Sequence, residues 1–245
     1  MNKTMNRIFP FLVLLIFLSS CGKKYEIEGT SSVSSLDGKK LFLKVARDGN
    51  LVTVDSAEVI HGKFSMKGKI DSVEMVTLFM DEESIMPVVL EGGNIQISIS
   101  NTGLSAKGTT LNDKFYAFID KKNSIDDQLQ ELGRKEAKMI LNGEDPLYIQ
   151  ELLTKENEQL IIEMNNHVKS FISQNYENVL GPSVFMMICS SMRNPVMTSP
   201  IEEILKDAPV SFKENKMVKS FIQQAHENMQ LIKEHQMLES NSQQN

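Results

Sequence analysis

The first half of the chain alternates apolar and polar residues. Between Tyr25 and Lys107, as in Leu41–Val45, apolar side chains recur at every second position, a pattern typical of half-buried strands. Val76–Met80 and Val88–Leu90 are continuously apolar and predict central strands covered on both faces. Glycine-rich turn sequences separate about eight short strands: Asp37-Gly38, Asp48–Asn50, His61-Gly62, Glu91–Asn94 and Asn101–Gly103.

After Lys107-Gly108 the apolar period lengthens to that of a helix. A long amphipathic helix is predicted from a capping box at Thr110 and Asp113 to just before Asn142-Gly143. Asp145-Pro146 begins a second long helix, because proline is favoured at the first helical position. Shorter and terminal helices are predicted from Gly181 to Met192, from Ser199-Pro200, and from Ser211 to a frayed end after Leu238.

This order of elements predicts an α+β fold, with an N-terminal antiparallel β-sandwich or open barrel followed by a C-terminal helical region. The boundaries that we expect are a lipoprotein signal peptide at residues 1–20 and a β-rich domain at 21–108. A helical domain at 109–240 and a disordered tail at 241–245 follow.

The N-terminus has the layout of a secretory signal. Lys3 and Arg7 precede the apolar run Ile8–Leu18, which is shorter than the roughly 20 residues that a membrane-spanning helix needs. Cys21 directly follows Leu18-Ser19-Ser20, and this site resembles the lipobox of bacterial lipoproteins. The resemblance implies cleavage before Cys21, acylation of its thiol and anchoring by two or more fatty chains. An ordinary cleaved signal with a chance cysteine is the competing interpretation.

The residues after Cys21 bear on where such an anchor would hold the protein. Gly22 replaces the aspartate that retains lipoproteins at the inner membrane of enteric bacteria. Lys23–Tyr25 lacks the acidic run of the surface-export signal of Bacteroidota lipoproteins. We therefore expect a lipid-anchored protein of the cell envelope, at the periplasmic face of the outer membrane, with the membrane as its partner through Cys21.

Charge and cysteine content exclude several classes of function. The chain has 26 basic and 32 acidic residues, and removal of residues 1–20 leaves a net charge of −8 because Lys3 and Arg7 are lost. Nothing resembles the clustered basic face of a nucleic-acid-binding protein. With Cys21 acylated, Cys189 is the remaining thiol, so the mature chain has no intramolecular disulfide. We expect Cys189 to be a buried small hydrophobic residue, and an intermolecular disulfide is the alternative.

No residue pattern points to catalysis, a cofactor or a metal. The histidines are scattered without zinc spacing, and the methionines near Cys189 are more typical of core packing than of a copper site. Phosphate-loop, nucleophile-elbow and dinucleotide motifs do not occur. We expect no catalytic or metal-binding role for any of His61, His167, His226, His235, Met186, Met187, Met192, Asp55, Glu58, Asp81, Glu82 and Glu83. We therefore expect a protein that is not an enzyme.

Several segments together resemble a known family. They are Tyr25–Thr30, Leu51–Ala57, Gly62–Gly68, Leu90–Ile95, Gly108–Asn112 and, more weakly, Phe171–Asn175 and Asn178–Pro182. They resemble the uncharacterised β-rich domain at the N-terminus of many Bacteroidota lipoproteins. In that family the domain and its following helices often precede a thioredoxin-like thiol:disulfide interchange domain. Here the sequence ends at Asn245, where that domain would begin, and Cys189 lacks Cys-x-x-Cys spacing. We therefore expect the family's N-terminal half without its enzyme.

These observations favour a role that depends on contact. We expect a non-catalytic envelope lipoprotein that serves as a protein-interaction or accessory module, with an envelope protein as its partner. Binding of a small ligand, in a cavity of the β half or near Gly108, is one alternative. The other is an accessory role for a separate thiol:disulfide oxidoreductase, which rests on analogy with the family alone. The polar faces of Lys121–Lys138 and Lys155–Asn166 are more typical of a solvated bundle than of a binding surface.

Overall fold

Strands make up the N-terminal part of the protein in the computed structural model, which describes residues 22–47, 49–190 and 192–242. Eight strands occur in this described part, as the turn pattern predicts. Their bounds are β1 Lys23–Ser31, β2 Lys40–Arg47, β3 Asn50–Glu58, β4 Lys63–Ile70, β5 Glu74–Met80, β6 Glu83–Leu90, β7 Gly93–Ser100 and β8 Gly103–Lys107. Cys21 lies outside the described residues.

The strands form two four-stranded sheets, in the orders β4-β1-β7-β8 and β3-β2-β5-β6. Their inward side chains share one hydrophobic core, so the arrangement is a β-sandwich and not a closed barrel. The predicted antiparallel sandwich has one parallel pair, because β1 runs parallel to β7 from Tyr25/Gly93 to Ser31/Ile99. All of β2 to β6 lies between these two strands in the chain, and such a long crossover allows parallel pairing. Period-two patterning does not encode strand direction.

Two of the cross-strand pairs between β1 and β4 place an aromatic residue opposite a glycine. Tyr25 pairs with Gly68, and Gly29 pairs with Phe64. In both pairs the ring occupies the space that a Cβ on the glycine would need. The two aromatic rings are buried, so glycine at these positions provides room for core side chains and not a special backbone angle.

Burial along β5 and β6 confirms that both strands are covered on two faces, but the prediction that both are central is wrong for β6, which lies at the edge of its sheet. Leu78 and Phe79 are consecutive and both buried in β5, and Val88, Val89 and Leu90 are all buried in β6. Successive residues of a strand point to opposite faces, so these segments are covered on both sides.

Helices occupy the rest of the described chain. Their bounds are α1 Thr110–Leu141, α2 Pro146–Gln174, α3 Leu180–Cys189, α4 Ser199–Lys206, α5 Val210–Lys213 and α6 Lys216–Ser242. The single terminal helix predicted from Ser211 is wrong in its start, since a separate four-residue helix precedes α6. Helix α3 ends at Cys189, before the predicted Met192, and α6 continues past Leu238 to Ser242. No helix in the described part of the chain is both long and apolar enough to cross a bilayer.

The start of α1 is fixed to the sheet by side chains that replace the predicted capping box. Glu91, in the turn after β6, accepts hydrogen bonds from the N–H groups of Leu111 and Asn112 at 2.7 and 3.1 Å. Asp113 accepts from the Gly108 N–H at 3.0 Å, and the Thr110 hydroxyl does not serve as the cap. The long-range partner Glu91 could not be found from local spacing, since it lies about 20 residues upstream.

Asn112 ties α1 to strand β6. Its side chain is fully buried; Oδ1 accepts from the Val89 N–H at 3.0 Å and Nδ2 donates to the Val89 carbonyl at 2.7 Å. Nδ2 also donates to the Thr109 hydroxyl at 2.9 Å. The amide thus pairs with the edge of β6 as a neighbouring strand would.

Candidate functional site

Helices α1 and α2 form an antiparallel hairpin that is anchored to the body at one end. The anchor is aromatic: Phe118 lies 4.8 Å from the stacked ring of His167 and 4.4 Å from Phe171, centroid to centroid. Val168 and Ile172 are buried beside them. With 32 residues, α1 is about 48 Å long at 1.5 Å per residue, so the hairpin extends well beyond this anchor.

The two helices are held together by a narrow apolar seam flanked by ion pairs. Ile125, Met139 and Ile149 are buried along it. The Lys135 ammonium bridges to the Glu156 carboxylate at 2.6 Å across the seam. Both charged side chains are about one-third exposed, so the pair fixes the register of the helices more than it adds stability.

The far end of the hairpin exposes large apolar side chains. Ile140 and Leu141 at the end of α1 are 60% and 87% exposed, and Leu147 and Tyr148 at the start of α2 are 76% and 54% exposed. We call these four residues the hairpin tip. Ile140 falls at the helical spacing of the apolar residues of α1, which predicts a buried position. This prediction is wrong, because Ile140 is exposed and the neighbouring Met139 is buried.

A groove of about 790 Å³ runs from the tip along the side of the hairpin. We call it the hairpin groove; its apolar lining is Leu129, Leu132, Ile140, Pro146, Ile149 and Leu153. Gly133 also lines the groove, and a Cβ there would meet no atom within 4 Å. Glu136 and Glu144 line it with negative charge. A two-helix hairpin with such a groove presents the surface that an additional helix covers in helix-in-groove recognition.

A second cavity, of about 650 Å³, lies where the β2–β3 turn meets α3 and α6. Sulfur-containing and aromatic side chains line it: Met186, Cys189, Met192, Met217 and Phe221. Cys189 is buried, as predicted, and this burial raises the pKa of its thiol to about 12. The thiol is therefore neutral at physiological pH and does not have the thiolate character of a redox cysteine.

The remaining candidates from the sequence do not come together. His61 lies at an exposed turn with a positive φ of 51°, and His226 and His235 are exposed on α6. His167 contacts the Phe118 carbonyl at 3.1 Å through Nε2. Within the described residues there is no group of three or more histidine, cysteine or acidic side chains placed to hold a metal.

Asp55 is a partly buried acidic residue that pairs with a tyrosine. Its Oδ2 accepts a hydrogen bond of 2.7 Å from the Tyr25 hydroxyl. Burial, followed by this bond to a carboxylate, raises the pKa of Tyr25 above its ordinary value. The pair joins β1 of one sheet to β3 of the other, and Glu58 takes no part in it.

Sequence reasoning missed both the hairpin groove and the exposed tip. Leu141 and Leu147 fall outside the apolar stripes of their helices, next to the Asn142–Asp145 connection. Apolar residues that lie beside a polar turn and outside the buried stripe were the sequence signal from which the exposed tip could have been predicted. The cavity beside Cys189 had no local signal, since its lining comes from segments far apart in the chain.

Comparison with known families bears on the β-rich part. Residues 25–115 match the family model described as Domain of unknown function (DUF4369). This part of the chain is therefore similar to an uncharacterised domain, as the sequence resemblance implied. No curated protein and no solved structure has a significant match to the chain. The matched segment ends at Phe115 and includes Glu91 and Asn112, but not the rest of the hairpin.

Proposed function

We propose that the protein is a non-catalytic lipoprotein of the cell envelope that acts by binding another envelope protein. The observation that carries this proposal is the hairpin, whose tip and groove expose apolar side chains far from the core that anchors it. Acidic residues line the groove, so an amphipathic helix with basic flanks is the partner chemistry that fits it.

The anchor in this proposal is an acylated Cys21, which tethers the body at the periplasmic face of the outer membrane. Its support is the lipobox-like sequence Leu18–Cys21 and the residues that follow it. Replacement of Cys21 by alanine is expected to move the protein from the membrane to the soluble or unprocessed fraction. A processed Cys21→Ala protein that still fractionates with membranes would contradict the anchor.

The test of partner binding is crosslinking in intact cells with an affinity tag after Asn245. The informative variants are Leu141→Lys and Leu147→Lys, because both side chains are more than three-quarters exposed and their replacement leaves the core intact. Val210→Lys is the matched control, since Val210 is 75% exposed on α5, away from the hairpin.

We expect a partner that is captured by the unmodified protein and by Val210→Lys, and that is lost with either hairpin variant. Capture that is the same in all four proteins would contradict the role of the hairpin. A captured protein with a thioredoxin fold would identify the function as that of an accessory to a thiol:disulfide oxidoreductase.

The cavity beside Cys189 favours a second candidate function, binding of a small apolar ligand. Its volume lies in the range of about 300–1,000 Å³ that small-molecule sites occupy, and flexible methionines adapt to irregular apolar shapes. A long-chain fatty alcohol is the probe: binding should raise the thermal midpoint of unfolding, and Ser220→Phe at the cavity lining should abolish the rise. An equal shift in both proteins would place the ligand elsewhere.

A further inference from the structure

The two open sheets of the described chain have four edge strands between them, and three of these edges are protected against pairing with a further strand. At the edge of β6, the backbone of Val89 pairs with Asn112, and the Pro87 carbonyl accepts from the Tyr116 hydroxyl at 2.7 Å. Pro87 itself has no N–H group to offer. This edge is covered by helix α1.

The two outer strands of the other sheet are protected by charge and by length. Strand β4 carries exposed Lys63, Lys67 and Lys69, and edge lysines oppose pairing with another strand. Strand β8 has five residues and continues within three residues into α1, which packs against it.

The edge of β3 has none of these protections in the part of the chain that the structure describes. Leu51, Val52 and Val54 are 55%, 43% and 36% exposed, and the segment Asn50–Val54 contains no charged residue and no proline. On its other side β3 pairs with β2 alone among the named strands. An exposed, uncharged, β-branched edge of this kind is a template for strand addition.

The open segment ends at Asp55. This residue pairs with the fully buried Leu43 and so faces the interior, where it accepts the hydrogen bond from Tyr25. The register with β2 shifts at this point: Leu43 pairs with Asp55 and Lys44 with Thr53, so Val54 is the extra residue of a β-bulge. Both an inward charge and a bulge end regular pairing, so the free edge ends at this bulge and is confined to residues 50–54.

We propose that β3 pairs with β3 of a second copy of the protein, antiparallel and with the two-fold axis at Val52. Residues 50–54 face their own copy in this arrangement, and Leu51 lies opposite Thr53 of the other chain. No like charges meet within the segment, and β-branched cross-strand pairs are favourable. The pairing is isologous, so it closes at a dimer and does not extend into a fibre.

The second copy is favoured as the occupant by charge and by size. The edge offers no charged side chain to recognise a charged foreign peptide, whereas an identical strand brings no charge to the segment and places Val52 opposite Val52. Five residues per strand bury a small area, and interfaces of small area are weak in solution. Tethering of both copies to one membrane, which rests on the proposed function, raises their effective concentration.

The test is disulfide crosslinking of the full chain in cells. On a two-fold axis, Cα atoms of opposite residues lie about 4.5–5.5 Å apart, within the range that a disulfide spans. Val52→Cys should therefore form a covalent dimer on a non-reducing gel. Ser65→Cys is the matched control, an exposed residue in the middle of the lysine-protected edge β4. Cys189 is 3% exposed and is common to both proteins.

We expect at least about fivefold more dimer with Val52→Cys than with Ser65→Cys. Adding Thr53→Lys, a charge on the same edge, should remove the excess, while Thr53→Val should retain it. Circular dichroism establishes that each variant is folded. Three results would each overturn the proposal. They are an equal amount of dimer in the two cysteine variants, an excess of dimer that survives Thr53→Lys, and crosslinking of Val52→Cys to a different protein in place of itself. None of these outcomes depends on the hairpin variants that test the proposed function.

Discussion

The replacement Gly68→Ala tests how the two sheets are joined at Tyr25. The backbone of Gly68 has no positive φ, so alanine is compatible with the strand itself. A Cβ at this position would, however, lie 2.6 Å from Oη and 2.7 Å from Cζ of Tyr25. The ring is buried and its hydroxyl is held by Asp55, so it cannot simply swing into solvent.

The magnitude follows from the displacement of the ring. Carbon atoms in ordinary contact are about 3.5–4.0 Å apart, so the ring must move by about 1 Å. Overpacking of this size costs about 1–3 kcal/mol, and loss of the bond to the Asp55 carboxylate about 1.5–3 kcal/mol. Alanine restricts the unfolded chain, which offsets about 0.5–1 kcal/mol. We expect a net loss of about 2–4 kcal/mol in the free energy of unfolding.

The assay is equilibrium unfolding in urea, where this loss lowers the midpoint by about 1–2 M at an unchanged slope. Gly103→Ala is the control, since a Cβ there meets nothing within 4 Å, and its midpoint should not fall. The loss should disappear when Gly68→Ala is introduced into a Tyr25→Ala protein, which lacks the ring. If Gly68→Ala destabilises the two backgrounds equally, the ring is not the cause.

Three further predictions concern the junction, the hairpin and the response to pH. Asn112→Asp should lower the free energy of unfolding by about 3 kcal/mol in the same urea assay. The reason is that a carboxylate oxygen would replace the amide nitrogen that donates to the Val89 carbonyl. An unchanged urea midpoint would contradict this prediction. Gly133→Ala should raise the free energy of unfolding by about 1 kcal/mol, since alanine is favoured in a helix and its Cβ meets no neighbour here. A lower free energy of unfolding would mean that the space beside Gly133 is not open. Burial raises the folded-state pKa of Tyr25 and Tyr116 above 10.0. Their contribution to stability is thus complete below about pH 10 and declines as the pH rises further, and Tyr25→Phe should lessen this decline in an alkaline titration of the urea midpoint.

Much of the fold could be predicted because the apolar pattern has two clear periods. Period two up to Lys107 and the helical period from Thr110 place the strands and the long helices, and Asp145-Pro146 marks the start of α2 correctly. The relative direction of paired strands could not be predicted from the apolar pattern. The parallel pair β1–β7 depends on which strands meet across the sheet, and the alternation of apolar and polar residues is the same in either direction. The cap at α1 was mispredicted for a related reason, since Glu91 competes with the local Thr110.

The candidate site was less predictable, because the exposure of a residue depends on which other elements pack against it in the folded protein. Ile140 satisfies helical spacing, yet it lies at the far end of the hairpin, where no third element of the described chain covers it. Cys189 was predicted correctly as a buried residue, since its neighbours are apolar for several positions on one short helix. The cavity around it is formed partly by Ala46 at the end of β2 and Gly49 in the following turn, a contact that no single segment encodes.

The segments that resemble the known domain are explained by packing. Gly68 admits the Tyr25 ring, Gly108 has a φ of +93° with the Asn94 carbonyl 2.7 Å from where a Cβ would lie, and Asn112 closes the edge of β6. Each of these residues stabilises the sandwich or its junction with α1, and none of them lines the hairpin groove. A match over residues 25–115 therefore reports a shared scaffold, and it carries no information on what the hairpin beyond Phe115 binds. If the hairpin binds the partner, as proposed, exchange of the hairpin between two proteins that share this scaffold should exchange the captured partner while leaving the stability of the sandwich unchanged.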